Sequence, residues 1–559
     1  MNSANDDGWL RIAGGKVYDP ANGVSGVVKD LWIRGGKIVH EPSERELAAG
    51  SVRTLDAKGL VIMPGGVDMH CHIAGPKVNT ARKMRPEEKR DESYLKKTDL
   101  LRSGTIGSVP STFATSYLYL GLGYTTAFDA AVPALGARHA YEEFEDTPCL
   151  DKGFFVLMGN HHFVMDSIRR GEPDRLRDFV AWLLKSAGGY APKLVNPGGV
   201  ENWKRRPDGN ACEIDQQIDG FGVTPRQIVT GVAQAAAEIG LPHPVHIHCN
   251  QLGLPGNWRI TRDTMLALEG RRGHLTHIQF HSYGGGAGDE ETFRSRASDL
   301  AAIVNANENI TVDVGQVMFG KSTSMTGDGP LGHYLHQVYG TKWFSGDLEC
   351  EAGCGIAPIE YRNKSLVHAL QWAIGLEWYL LVDDAWRIGM STDHPNGASF
   401  LAYPEICHLL MSRDRRREAI ERCPPGLLER SVLADLDREY TLEEICIVTR
   451  AAPARMLGLK SKGHLGPGAD ADVTIYTPSA DPTEMLSAPR YVLKAGEILV
   501  EDSDIRRIVP GSVLRVAPSY DDALLASLVP WFEQNYTLRF GNYPLGEETL
   551  HGSRVVACG

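Results

Sequence analysis

The sequence predicts an α/β fold: a (β/α)8 TIM-like barrel joined to a small β-sandwich that both ends of the chain build together. Three observations carry this reading. Eight short apolar runs in the middle of the chain are separated by stretches long enough for helical crossovers, as a parallel barrel requires. Short alternating strands with Gly turns mark both ends of the chain. Ionisable residues cluster where the apolar runs finish, and the carboxyl ends of the strands are where such a barrel keeps its active site.

Taken in order, residues 1–62 supply the amino-terminal half of the sandwich: Trp9-Leu10-Arg11-Ile12-Ala13, a Gly14-Gly15 turn, Lys16-Val17-Tyr18, Asp30-Leu31-Trp32-Ile33-Arg34, a Gly35-Gly36 turn and Lys37-Ile38-Val39. Residues 63–440 form the barrel. Its first strand is expected at Leu60-Val61-Ile62-Met63, with Gly65-Gly66-Val67-Asp68-Met69-His70-Cys71-His72 emerging from its end. The other seven runs are Thr125-Thr126-Ala127-Phe128-Asp129, Gly153-Phe154-Phe155-Val156-Leu157-Met158, Pro192-Lys193-Leu194-Val195-Asn196, Val245-His246-Ile247-His248-Cys249, His274-Leu275-Thr276-His277-Ile278-Gln279-Phe280, Ile310-Thr311-Val312-Asp313-Val314 and Ile388-Gly389-Met390-Ser391-Thr392-Asp393. Residues 441–516 hold the last barrel helix and the second half of the sandwich, and 517–559 an aromatic tail fit for packing onto a partner or a neighbouring domain.

Composition narrows the function. Among 559 residues, 23% are charged and 42% hydrophobic, which is ordinary for a soluble globular protein. A net charge of −12 argues against nucleic-acid or anionic-membrane binding, both of which need clustered Lys and Arg. No apolar run reaches 18 residues and the start, Met1-Asn2-Ser3-Ala4-Asn5-Asp6-Asp7, is acidic, so a cytoplasmic location is expected. Of ten cysteines only Cys350 and Cys354 lie close together, and without a CxxC pair an iron–sulfur cluster or zinc finger is not expected. Redox chemistry would have to reside elsewhere, since no dinucleotide fingerprint or phosphate loop stands in a strand-to-helix setting either.

The polar residues at the strand ends carry the chemistry. His70 and His72 share one face of an extended segment, about 6 to 7 Å apart, which suits a single divalent metal. Strand four bears Lys193, strand five His246 and His248, strand six His277 and His281, and strand eight Asp393 and His394. Each alone has a duller reading: a hydrogen-bonded structural histidine, a helix-capping aspartate, a lysine snorkelling to water. Five such coincidences on one barrel face favour a metal site. A lysine buried in an apolar run loses its proton and can react with carbon dioxide to give a carbamate. Such an anion can bridge two zinc ions about 3.5 to 4 Å apart. Strand periodicity leaves His246 and His248 as alternatives.

These residues also carry a resemblance. Pro64-Gly65-Gly66-Val67-Asp68-Met69-His70-Cys71-His72, Lys193, the strand-five and strand-six histidines, Thr392-Asp393-His394-Pro395, Thr449-Arg450-Ala451-Ala452-Pro453-Ala454-Arg455 and Gly468-Ala469-Asp470-Ala471-Asp472 resemble the binuclear amidohydrolase superfamily, near dihydroorotase and dihydropyrimidinase, over residues 8–500. A narrower resemblance, to the family of A-type subunits of formylmethanofuran dehydrogenases and of bacterial formyltransferase/hydrolase complexes, lies in His72-Ile73-Ala74-Gly75-Pro76-Lys77-Val78-Asn79, Lys193-Leu194-Val195-Asn196-Pro197-Gly198-Gly199-Val200 and His277-Ile278-Gln279-Phe280-His281-Ser282-Tyr283-Gly284-Gly285.

The resemblance implies two zinc ions, His70, His72 and Asp393 on one, His248 and His277 on the other, and carboxylated Lys193 between them. It favours His248 over His246 and His277 over His281. It implies hydrolysis of formylmethanofuran to formate and a free amine in one-carbon metabolism, inside a multisubunit complex whose other members set the direction. Asp393 would be the catalytic acid and base; Asn79, Arg82, Asn196, His281 and Tyr283 would contact substrate. The competing readings are a cyclic amidohydrolase and a non-catalytic scaffold within the complex.

Overall fold

The computed structural model describes residues 8–48, 50–89, 94–206, 210, 213–286, 289–345 and 355–559. Met1-Asn2-Ser3-Ala4-Asn5-Asp6-Asp7, Cys350 and Cys354 lie outside them. Eight parallel strands form the barrel in sequence order: Gly66–Cys71, Tyr124–Val132, Asp151–Leu157, Ala191–Val195, Val245–His248, Gly273–Leu275, Ile310–Asp313 and Ile388–Gly389. A parallel bridge between Cys71 and His394 brings the last strand's continuation back to the first. Helices such as Pro225–Ile239, started by a Thr224/Gln227 capping box, wrap the outside with their apolar faces inward.

The first strand departs from the sequence expectation. Val61–Pro64 is a strand of the other sheet, paired antiparallel with Val473–Tyr476, and the barrel strand begins only at Gly66. The chain changes sheets at Gly65-Gly66 because only glycine fits. A Cβ on Gly65 would stand 2.3 Å from Thr125 Oγ1, and one on Gly66 2.5 Å from the Tyr124 ring. His70 therefore lies inside the barrel strand and His72 just past its end. Strand six is also shorter than expected. It stops at Leu275, and His277, at φ 35°, turns the chain into the 3-10 turn Ile278–His281.

The two chain ends do share one nine-stranded sheet, closed over a core that includes Ile12, Val17, Ile33, Ile62, Val473 and Leu493. An ionic cluster locks it to the barrel. Lys462 Nζ reaches Asp151 at 2.5 Å, Asp472 at 2.8 Å and Asp470 at 2.9 Å, while Lys494 Nζ pairs with Asp151 at 2.6 Å and Asp472 at 2.7 Å. Strand Val513–Arg515 then pairs beside barrel strand Asp151–Leu157 and is flanked by Ser553–Val555. Between them, helix Ala523–Asn535 lays Trp531 and Phe532 on Phe163 and Trp182, and Phe540 stacks on Trp182 at 5.1 Å. Among the described residues no helix is long and apolar enough to cross a membrane.

Candidate metal centre

Register places the ionisable side chains in layers. Lys193, His246 and His274 are direct partners across three adjacent strands, so all three project inward at one level of the barrel. His248, two residues beyond His246, stands one level nearer the carboxyl end, beside Val195. Of the two histidines that periodicity left as alternatives, His248 is the one nearer the mouth. His248 Nδ1 lies 3.1 Å from His277 Nε2 at the mouth, whereas His246 faces the back of His70, with Nε2 3.1 Å from His70 Nδ1.

Two donor clusters lie at the mouth, and a third group, His70, His246 and Asp313, lies below them. His70 Nε2 and His72 Nε2 stand 2.9 and 3.0 Å from the same Asp393 oxygen. His248, His277 and His281 bring ligand atoms to within 4.8 Å of one another. Lys193 is 1% exposed, and its Nζ has no hydrogen-bond partner. Neither ring nitrogen of His281 has one, nor does His277 Nδ1. Buried polar atoms normally find partners, so this concentration of bare donors and lone pairs marks where a ligand belongs. Imidazoles and a carboxylate converging on one point suit divalent transition metals, and a second carboxylate built on Lys193 would complete a pair of sites.

The surrounding charges fit that use. Burial pushes the Lys193 ammonium down to about 7, helped by the neighbouring Lys77 cation, so a free amine is present near neutrality. Burial also drives His277 and His281 well below their ordinary values, leaving neutral rings with a lone pair to give. Burial would raise Asp393, but His70 and His72 outweigh it and hold the carboxyl well below the usual range. Asp393, at φ 50°, and His277 both occupy the left-handed region that side chains avoid. Strain of this kind persists at sites where the surroundings dictate the backbone.

A second row of groups fixes the first, and the sequence reading assigned none of them. Asp313 accepts from His70 Nδ1 at 3.2 Å, His274 Nε2 at 3.0 Å, the Thr276 hydroxyl at 2.7 Å and the His277 backbone N–H at 3.0 Å. Asp129 backs His72 at 3.7 Å and accepts from the Ile73 and Ala74 N–H groups. Burial opposes its charge, but these bonds and His72 hold it at about 2. Asp328 lies 3.2 Å from His248 Nε2. Asp129 ends one apolar strand run and Asp313 stands next to last in another, so a signal was present; Asp328 caps helix Gly329–Tyr339 and gave none. Lys77, 8% exposed with an unpartnered Nζ, was also missed, although it opens the helix that follows His72.

A cavity of about 550 Å³ opens from Asp393 and Asn396 outward past Phe280, Phe293, Tyr334 and Tyr361. Of the residues expected to meet substrate, His281 lies in the donor cluster and Asn196 beside it. Asn196 Nδ2 donates to Asp328 at 3.1 Å, and its oxygen accepts from Asn250 at 2.7 Å. Tyr283 is buried, its hydroxyl bonded to Gln279 at 3.1 Å. Arg82 is spent on Glu143 at 2.6 Å, Asn79 at 3.1 Å and the Ile73 carbonyl at 3.1 Å, which braces the loop after His72. Among the described residues the cavity wall is made by others than Asn79, Arg82, Asn196 and Tyr283.

Comparison with known proteins agrees with this construction. The model of the amidohydrolase family matches residues 53–500. Protein FwdA of Methanocaldococcus jannaschii is 41% identical over 98% of both chains. The FhcA component of the formyltransferase/hydrolase complex Fhc of Methylorubrum extorquens is 39% identical over 90% of both. The crystal structure of that FhcABCD complex with methylofuran contains a chain that superposes with a TM-score of 0.91 at 35% identity, covering 99% of this chain and 100% of that one. The barrel, its clusters of side chains able to hold a metal and, above all, these similarities establish that the chain belongs to the amidohydrolase family.

Proposed function

We propose that this chain is a cytoplasmic, binuclear zinc amidohydrolase that works within a multisubunit complex and hydrolyses formylmethanofuran, or a methanofuran analogue, to formate and the free amine. The observation that carries the reading is the Lys193 amine, buried without a partner and near enough to Asp393, His277 and His281 to act on members of both clusters. His70, His72 and Asp393 would hold one ion and His248 and His277 another, with the Lys193 carbamate as a ligand available to both. Bound there, two zinc ions would supply a water acidic enough to attack near neutral pH and would polarise the formyl oxygen. Asp393, kept ionised by His70 and His72, accepts the proton of that water as its oxygen attacks the formyl carbon. The carbon–nitrogen bond breaks and Asp393 returns the proton to the departing amine nitrogen. His281, Asn196 and Tyr283 serve the formyl end, and Asn79 and Arg82 act on it through the Ile73 loop. The aromatic cavity receives the furan-bearing remainder.

The formyltransferase/hydrolase complex Fhc and its structure with methylofuran support the substrate class and work beside other members of one complex. Run backwards, the same site condenses formate with the amine. Formate release from formylmethanofuran by the purified complex tests the reading. Wild type is expected to turn over, and Asp393→Asn to keep its metal but lose about 10²- to 10⁴-fold in rate. Equal rates in both, or turnover of dihydrouracil with none of the formamide, would overturn it.

A further inference from the structure

The barrel interior beneath the metal centre holds a line of imidazoles that the proposed reaction does not use. It starts far from the site. His243 Nδ1 lies 2.8 Å from the carbonyl oxygen of Met456. His243 Nε2 lies 3.0 Å from His246 Nδ1, and His246 Nε2 lies 3.1 Å from His70 Nδ1. His70 Nε2 then faces Asp393 at 2.9 Å. His243, His246 and His70 are all fully buried.

A carbonyl oxygen only accepts, so the nitrogen facing it must carry the hydrogen, and in a neutral imidazole the other nitrogen then carries none. His243 therefore donates from Nδ1 to Met456 and accepts at Nε2. His246 must donate from Nδ1 to His243, which leaves its own Nε2 an acceptor. His70 must donate from Nδ1, toward His246 Nε2 and Asp313; in the neutral ring that would hold a metal, this leaves Nε2 bare on the side of Asp393. The acceptor-only character of one backbone carbonyl is passed through two rings to a third.

We infer that His243 and His246 are positioning residues that hold His70 in the tautomer able to bind metal through Nε2. The surroundings keep the line in place. His246 is packed between the rings of Phe155, 4.5 Å away, and His274, 4.7 Å away, and His274 is itself bonded to Asp313 and to Thr311 Oγ1 at 2.9 Å. Asp313 alone would favour the same His70 tautomer; the line adds that moving the His70 hydrogen from Nδ1 to Nε2 would set two bare nitrogens against each other at His246. This inference rests on the proposed metal centre, but its hydrogen positions do not depend on the substrate.

The test starts at the far end, at a residue that touches no ligand of the metal. His243→Leu removes the acceptor that His246 needs, whereas His243→Gln keeps an amide oxygen for it. Zinc competition between the co-purified complex and a chelator is expected to show about 10-fold weaker retention in His243→Leu, the usual scale for loss of a group that orients a ligand. His243→Gln is expected to restore most of it. Equal retention in the two variants, whether both strong or both weak, would overturn the inference and reduce His243 to packing. Neutron diffraction from deuterated wild-type crystals reads the same point without any variant. Deuterium on Nδ1 of all three rings is expected, and deuterium on His246 Nε2 would overturn it. Absence of formate release with this deuterium pattern intact would reject the proposed reaction and leave the relay standing.

Discussion

Replacing Lys193 by methionine separates the use of this residue from its cost. Methionine keeps the length and the apolar contacts of the side chain and discards the amine. In the folded chain the ammonium is pushed down to about 7 by burial, from an ordinary value of 10.5. The unfolded chain therefore binds more protons than the folded one between these two values, so stability rises with pH across that window. At pH 7 the linkage amounts to about 4 kcal/mol of lost stability, and it vanishes near pH 10.5. Metal-free Lys193→Met, compared with metal-free wild type by urea unfolding under carbon dioxide-free conditions, should be more stable by up to about 4 kcal/mol at pH 7. The gap should close steadily toward pH 10. The same variant, purified without chelators, should hold less than one zinc per chain by elemental analysis and release no formate. A metal-free variant less stable than wild type at pH 7, or one that keeps two zincs, would refute the argument, because Lys193 would then be a structural residue with a partner.

His248 and His277 already bring nitrogens to 3.1 Å, about the spacing of two ligands on one tetrahedral zinc, while both nitrogens of His281 stand free. His281→Ala should thus retain two zincs and lose rate; loss of one zinc in elemental analysis would make His281 a ligand instead. Lys462→Met should destabilise the chain by about 3 to 5 kcal/mol in urea unfolding, because it leaves Asp151 and Asp472 to share Lys494 in a buried site and Asp470 with only Lys37 and Arg554. In wild type these three carboxyls are held below their ordinary range by the lysines against the opposing effect of burial. Their contribution is present above about pH 4 and is lost as acid protonates them, so a Lys462→Met penalty that stays constant down to pH 2 would count against the cluster.

What the chain disclosed and what it hid follow one physical division. Side chains that alternate along a strand leave a mark in the sequence, because facing one point forces a period of two. His70 with His72, and His246 with His248, are marked in that way, and so is a lysine in the middle of Pro192-Lys193-Leu194-Val195. Which of two alternating histidines reaches the mouth depends on depth, and depth is set by register against the neighbouring strand. Lys193 pairing with His246 puts His246 a layer too low. The carboxyl-terminal turn of strand six escaped the pattern for a similar reason: His277 leaves the strand through a left-handed backbone, which no alternation encodes. Gly65-Gly66 could be seen as a turn but not as a passage between sheets, since the reason is the Thr125 and Tyr124 side chains, some 60 residues away in sequence.

The second row of the site shows why depth matters for chemistry. The three carboxylates behind the histidines come from within strand two, from the end of strand seven and from a helix cap, and each is recognisable only by what it touches. They place negative charge behind His72, His70 and His248, so each ring presents its bare nitrogen forward. A cluster of neutral imidazoles facing a buried amine would otherwise have no fixed polarity, because an imidazole can turn either nitrogen toward a metal. On His70 two independent devices, the Asp313 carboxylate and the line of rings ending at Met456, impose the same direction. Their agreement explains why so many histidines lie below the donor clusters that the mouth of the barrel requires: they orient the ligand from behind.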